Sequence, residues 1–253
     1  MRSGNPVLRE STFLDSGSGL MITRDGQAMT LNGTVNKTGA LLLMAVVTAA
    51  FAWSQSISAD GMVSPAAGIY MIAGAIGSLI FALATSLKPT WAPITAPIYA
   101  LVEGLFLGSI SAVYEARFHG IVFQAVLLTF GTLLALLLVY RSGMIKATEN
   151  FKLGIAAATG GIALVYLATM VLGIFGVRMP LLHDSGLIGI GFSLVVVVVA
   201  ALNLVLDFDF IESGVEQGAP KHMEWYSAFA LMVTLVWLYI EFLRLLSKLQ
   251  SRN

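Results

Sequence analysis

Three acidic side chains lie in or beside apolar stretches of the sequence, where an ionised carboxylate is costly. Glu241 and Glu103 each interrupt an apolar run, and Asp207 directly follows the valine-rich run that ends at Leu206. Acids in such segments usually face a bundle interior or a water-filled path. A carboxyl group in an apolar site, or beside a second acid, keeps its proton to a higher pH. Asp207 and Glu241 could therefore form a proton-sensitive latch.

Neighbouring polar residues could support these acids. Asn203 lies four residues before Asp207 and therefore shares its helix face. Arg244 lies three residues after Glu241, so an intrahelical ion pair is the alternative to a freely titrating acid. Asp209 points to another side of the helix, where we expect it to face cytoplasmic water.

The sequence does not identify the partner of Glu103. Lys88, Arg178 and another intramembrane polar group are all candidates.

Residues suited to catalysis are scarce. The sequence has no cysteine, which excludes a thiol nucleophile and thiolate metal sites. His119, His183 and His222 fall between apolar runs and lack metal-ligand spacing. Ser193 has no histidine at its depth that could act as a base. We therefore expect no enzymatic activity and no cofactor.

The composition is that of an integral membrane protein. Of the 253 residues, 57% are apolar and 11% are charged, whereas soluble domains carry about 25% charged residues. The mean hydropathy is +0.86. The formal net charge is zero, so we expect the lipid bilayer as a partner and no nucleic acid.

Seven apolar runs are long enough to cross a bilayer as helices, which needs roughly 20 residues each. The runs are Thr38–Ser56, Ala66–Leu87, Pro93–Val113, Gly120–Tyr140, Leu153–Val177, Leu187–Leu206 and Trp225–Leu246. The short connections predict one all-α helical bundle. We expect a flexible polar tail at 1–36, the transmembrane domain at 37–248 and a short polar tail at 249–253.

The distribution of basic residues predicts a cytoplasmic N-terminus. Nine basic residues would then lie on the cytoplasmic side and five on the other. The cytoplasmic set is Arg2, Arg9, Arg24, Lys37, Lys88, Arg141, Lys146, Lys152 and Lys221; the opposite set is Arg117, Arg178, Arg244, Lys248 and Arg252. The basic C-terminus leaves re-entry of the last segment as an alternative to a seventh full span.

Three stretches resemble the Bax inhibitor-1 family, also called the transmembrane Bax-inhibitor-motif family, and a bacterial branch in particular. They are LDFDFIE at Leu206–Glu212, YIEFLRLL at Tyr239–Leu246 and EGLFLGS at Glu103–Ser109. The resemblance covers most of the chain from Thr38 onward. It implies a bacterial inner (plasma) membrane location and a seven-helix fold whose last helix is central.

The resemblance also implies a calcium leak that responds to pH. In the family, two aspartates share a proton and latch the pore closed. Asp207 matches the first of them, and Glu241 stands at the second with one methylene more. Lys88 lies near the position of a family arginine that contacts this pair. Two carboxylates with Asn203 would hold calcium weakly and transiently, as a leak requires.

Two further functions fit the same residues. Some relatives resemble modulators of membrane proteases or of stress responses, so the protein could instead be a membrane-embedded interaction protein with membrane proteases as partners. A proton-coupled transporter could use Glu103, Asp207 and Glu241 as a relay.

Overall fold

The computed structural model describes residues 28–58, 60–176 and 186–252. Seven helices in this part of the chain are long and apolar enough to cross a membrane, which confirms the predicted all-α membrane fold. They are α1 (Leu31–Ser56), α2 (Pro65–Leu87), α3 (Ala92–Arg117), α4 (Ile121–Arg141), α5 (Glu149–Ile174), α6 (Leu187–Glu216) and α7 (Met223–Gln250). A 3₁₀ turn, Pro89–Trp91, precedes α3.

Helix α1 begins earlier than predicted. Thr30 is its N-cap, and the Thr30 hydroxyl accepts a hydrogen bond from the Gly33 backbone N–H. Such a cap satisfies one of the free N–H groups in the first turn. The predicted polar tail of residues 1–36 is therefore wrong for 31–36, which are helical. Residues 1–27 lie outside the described residues.

Helix α6 ends later than predicted. It was expected to stop at Leu206, but it continues to Glu216. Phe208, Phe210 and Ile211 are buried, so an apolar side persists through the acidic stretch and the helix gains packing there. Asp207 therefore lies inside the helix and not at its end. Helix α7 also extends to Gln250, past the predicted domain end at residue 248.

The described helices fall into two compact units. The C-terminal unit contains α4, α5, α6 up to Asp209 and α7 from Thr234. The N-terminal unit contains α1, α2, α3, the end of α6 and the start of α7. Of the most apolar stretch of α7, 61% is buried, against 11% for α5. The stretch of α7 has the largest buried share among the seven described spans. The central position of this helix stays a prediction.

Close helix packing in the N-terminal unit depends on glycines of α2 and α3. A Cβ at Gly104 or Gly108 would collide with the α1 backbone at Ala45 or Ala49. A Cβ at Gly74 would collide with the backbone of Phe106. The Gly-x-x-x-Gly spacing therefore lets α3 approach α1 closely, as small residues do between membrane helices.

A buried carboxylate joins three segments of the N-terminal unit. Glu224, at the start of α7, is fully buried and accepts hydrogen bonds from the Thr30 backbone N–H (2.9 Å) and hydroxyl (2.8 Å). It also pairs with Lys37 of α1 and with Lys221 (2.7 Å). A backbone hydrogen bond from Met29 to Ala219 (2.6 Å) lies beside it. Glu224 thus fastens the start of α1 to the connection between α6 and α7.

Candidate functional site

Glu241 lies in a closed triangle of hydrogen bonds in the C-terminal unit. The Tyr166 hydroxyl donates to Glu241 Oε1 at 2.7 Å. Arg244 Nη1 donates to the same oxygen at 2.7 Å and to the Tyr166 hydroxyl at 2.6 Å. The predicted intrahelical pair of Glu241 and Arg244 is therefore present, and Tyr166 of α5 completes it. Two donors therefore share one oxygen of Glu241.

The triangle lies in apolar surroundings. Glu241 is 1% exposed, and the ring of Tyr166 packs edge-on against Phe192 with centroids 6.5 Å apart. The Arg244 guanidinium also lies 5.0 Å from the centre of the Tyr166 ring. Glu241 Oε2 is buried and has no hydrogen-bond partner among the described residues. This second oxygen is where a proton or a cation would bind the group.

The other predicted acid, Asp207, is also 1% exposed. Asn203, one turn earlier, donates its amide to the Thr159 hydroxyl of α5 at 2.9 Å and to the Val199 carbonyl at 2.8 Å. The amide oxygen of Asn203 is left to act as an acceptor. Asn203 thus links α6 to α5 at one turn from Asp207.

Asp207 and Glu241 lie at different levels along the helices. Trp237, one turn before Glu241, packs against a cluster that contains Val196 and Val199. Asp207 lies eight residues beyond Val199 on α6, a rise of about 12 Å. Asn203 is midway along that stretch and therefore lies between the levels of the two acids along α6.

Two lysines mark the ends of this polar arrangement. Lys152, at the start of α5, pairs with Asp209 at 2.8 Å. The Asp209 side chain is 25% exposed, so the expectation that it simply faces water is wrong: it neutralises a buried lysine. Lys248 of α7 is 5% exposed and donates to the Gly189 carbonyl (2.9 Å) and the Ser193 hydroxyl (2.8 Å).

Together these groups form a polar file along α5, α6 and α7, which the apolar cluster of Ile162, Val196 and Val199 interrupts between Thr159 and Tyr166. On α6 it runs from Gly189 to Asp209, 20 residues apart, which is about 30 Å and matches the hydrocarbon thickness of a bilayer. On α5 it uses Lys152, Thr159 and Tyr166, which are spaced seven residues apart. That spacing places them on one helix face.

The remaining predicted residues, Glu103 and Lys88, lie in the N-terminal unit. Glu103 of α3 is buried, and the Ser78 hydroxyl of α2 lies within hydrogen-bonding reach of its carboxylate. Ser78 is an intramembrane polar group and therefore agrees with the third of the alternatives that the sequence left open. The Lys88 ammonium lies 4.3 Å from the centre of the Trp91 ring. Its contact with the carboxylates stays a prediction.

The sequence reasoning missed Tyr166, Thr159, Ser193 and Lys248. The seven-residue spacing on α5 was a usable signal, because one polar residue per two turns in an apolar helix indicates a buried polar face. In the part of the chain that the structure describes, no group of three or more His, Cys, Asp or Glu side chains could hold a metal ion. Buried acids of membrane helices are commonly found on ion or proton pathways.

Comparison with known families agrees with the family that the motifs resemble. The sequence profile of the family described as Bax inhibitor 1 like matches residues 5–251, nearly the whole chain. No curated protein matches the chain. The seven spanning helices and the buried acids of α6 and α7 lie within the matched residues. The chain therefore belongs to the Bax inhibitor 1 like family.

Proposed function

We propose that this membrane protein is a pH-sensitive calcium leak channel, with Asp207 and Glu241 as the titratable gate. The single observation that carries the proposal is the environment of Glu241, a buried carboxylate. One of its oxygens accepts from two donors, and the other, also buried, has no hydrogen-bond partner among the described residues. Buried acids of membrane helices are costly and commonly mark ion or proton pathways. Family membership supports the same role.

The ionised and protonated forms of Glu241 would hold the helices differently. When Glu241 is ionised, it pairs with Arg244 and accepts from Tyr166, which ties α5 to α7. A proton on the carboxylate removes the charge attraction to Arg244 and weakens both hydrogen bonds. The tie between α5 and α7 then loosens, so the leak increases as the pH falls.

Asp207 supplies a second carboxylate for a passing cation. Calcium prefers six to eight oxygen ligands. The protein would provide fewer ligands than this, from Asp207, the amide oxygen of Asn203 and backbone carbonyls. Water would complete the coordination shell of the ion. Such a site holds calcium weakly, and weak binding lets an ion leave. Calcium is the proposed permeant ion, and a resident calcium site is not proposed.

A proton-coupled transporter is the second candidate, and one observation favours it. Lys152, Arg244 and Lys248 lie in the same polar file as the acids. These cations repel calcium, whereas alternating acids and bases suit a proton relay. A coupled transporter would show saturable, substrate-driven proton movement, and a leak would show none.

For the location, we propose a bacterial inner membrane with a cytoplasmic N-terminus. The excess of nine basic residues over five supports this orientation. The chain has no cysteine, so a single cysteine at Lys146 or Arg117 can be labelled without background. In right-side-out membrane vesicles, a membrane-impermeant maleimide should label the Arg117→Cys variant and leave the Lys146→Cys variant unlabelled. The opposite labelling would reverse the orientation.

The test of the function is calcium uptake into proteoliposomes of pure protein, measured between about pH 5 and 8. We expect flux above that of empty liposomes, rising as the pH falls. Glu241→Gln mimics the protonated acid, so its flux should be high and independent of pH. Glu216→Gln, an exposed acid at the end of α6, is the matched control and should behave as the wild type. Absence of flux at every pH would refute the channel and favour the interaction role.

A further inference from the structure

Tyr166 lies outside the three family-like motifs and is not one of the two acids of the proposed gate. It belongs to α5, yet its hydroxyl closes the hydrogen-bond triangle on Glu241 and Arg244 of α7. We propose that Tyr166 is the positioning residue that sets the pH at which Glu241 takes up its proton. This inference rests on the proposed function and deepens it, because it names the residue that tunes the gate.

The hydroxyl of Tyr166 uses both of its hydrogen-bonding capacities within the triangle. It donates to Glu241 Oε1 at 2.7 Å and accepts from Arg244 Nη1 at 2.6 Å. The donated bond stabilises the ionised carboxylate. Because Oε1 already has two donors, the incoming proton goes to Oε2, which has no hydrogen-bond partner among the described residues.

The tyrosine ring is fixed independently of its hydroxyl. It packs edge-on against Phe192, beside the buried cluster that contains Ile162 and Val196. The Arg244 guanidinium lies 5.0 Å from the ring centre. These contacts orient the hydroxyl before any proton arrives, so the donated bond costs little further ordering.

Several charged or titratable groups on neighbouring helices bear on Glu241. They are Tyr166 from α5 and, from α7 itself, Arg244 and Lys248. Arg244 is the only one of the described groups besides Tyr166 that donates to the carboxylate. Tyr166 is therefore the one neutral group whose removal changes the hydrogen bonding of Glu241 without changing the charge of the site.

Tyr166→Phe tests the proposal because it keeps the ring and removes only the oxygen. Loss of one donor from the ionised carboxylate favours the protonated form. The pH midpoint of Glu241 protonation should therefore rise by about one to two units, and the leak should open at a correspondingly higher pH. Tyr70→Phe is the matched control, since Tyr70 contacts the Phe51 ring in the N-terminal unit. It should leave the midpoint unchanged.

The protonation readout is the infrared C=O band of the protonated carboxyl in membranes, assigned by its loss in Glu241→Gln. This band reports on Glu241 whether or not calcium passes. A raised midpoint in Tyr166→Phe supports the inference, and if no variant conducts calcium, the channel proposal alone fails. An unchanged midpoint in Tyr166→Phe would overturn the inference. Arg244→Gln should raise the midpoint further, and a shift seen only in that variant would also overturn the role of Tyr166.

Discussion

Replacing Glu224 by alanine should destabilise the protein more than any exposed acid does. The carboxylate is fully buried and accepts four hydrogen bonds, two from Thr30 and one each from Lys37 and Lys221. Without it, the start of α1 loses its attachment to α7. We therefore expect α1 to detach before the rest of the protein unfolds.

The magnitude follows from how exposed each donor is. Lys221 is 49% exposed and Lys37 is 19% exposed, so both can return to water, and each pair contributes about 0–1 kcal/mol. The two bonds from Thr30 go to a charged acceptor, and each contributes about 1.5–3 kcal/mol. Part of this is regained because water can reach a vacated site at the end of the helix. The net loss for Glu224→Ala should be about 2–4 kcal/mol of unfolding free energy.

Trp225 makes this loss measurable. Its ring lies 5.5 Å from the Lys37 ammonium, so its fluorescence should change when α1 detaches. Unfolding in mixed micelles with a rising fraction of SDS gives the free energy. Glu224→Gln keeps a neutral acceptor for Thr30 and should lose about half as much. Glu216→Ala, at an exposed position, should stay within about 0.5 kcal/mol of the wild type. Equal stability of the Glu224→Ala and Glu216→Ala variants would refute the reasoning.

Two further predictions concern packing and pH. Gly108→Ala should destabilise the protein by about 1–3 kcal/mol, because the added Cβ meets the backbone of α1. The control is Gly131→Ala, whose added Cβ has nothing within 4 Å and should leave the stability unchanged. Equal effects of the two changes in micelle unfolding would contradict this packing. Burial lowers the pKa of His222 in the folded protein. Folding therefore favours the neutral form of His222. The stability that this histidine contributes is present above its unfolded pKa of about 6.5 and is lost as the pH falls through its folded pKa. His222→Asn should flatten that part of the stability curve, and an unchanged slope would contradict the assignment.

The helix count and the deeply buried acids were predictable from the sequence because both depend on local composition. An apolar run of about 20 residues has few alternatives to a membrane helix, and Glu241 needed a partner that Arg244 could supply at the next turn. Helix ends were less predictable. The acidic stretch after Leu206 reads as a boundary, but the pairing of Asp209 with Lys152 removes the charge cost of continuing the helix.

The partners across helices could not be predicted. Tyr166 is 75 residues from Glu241 in the chain, and nothing local assigns it to that carboxylate. Lys248 reads as an interfacial residue at the end of a span, yet its ammonium turns inward to Ser193. Such contacts depend on which faces of two helices meet, and long-range packing decides this rather than the pattern within either helix.

The central claim is that Asp207 and Glu241 act as one gate although they differ in level along the helices. A double-mutant cycle of calcium flux against pH tests this most directly, with Asp207→Asn, Glu241→Gln and the double variant in proteoliposomes. If the acids form one gate, either single change removes most of the pH dependence and the double variant adds little. The account would be contradicted if the effects of the two changes on calcium flux were additive, with a separate pH step for each acid.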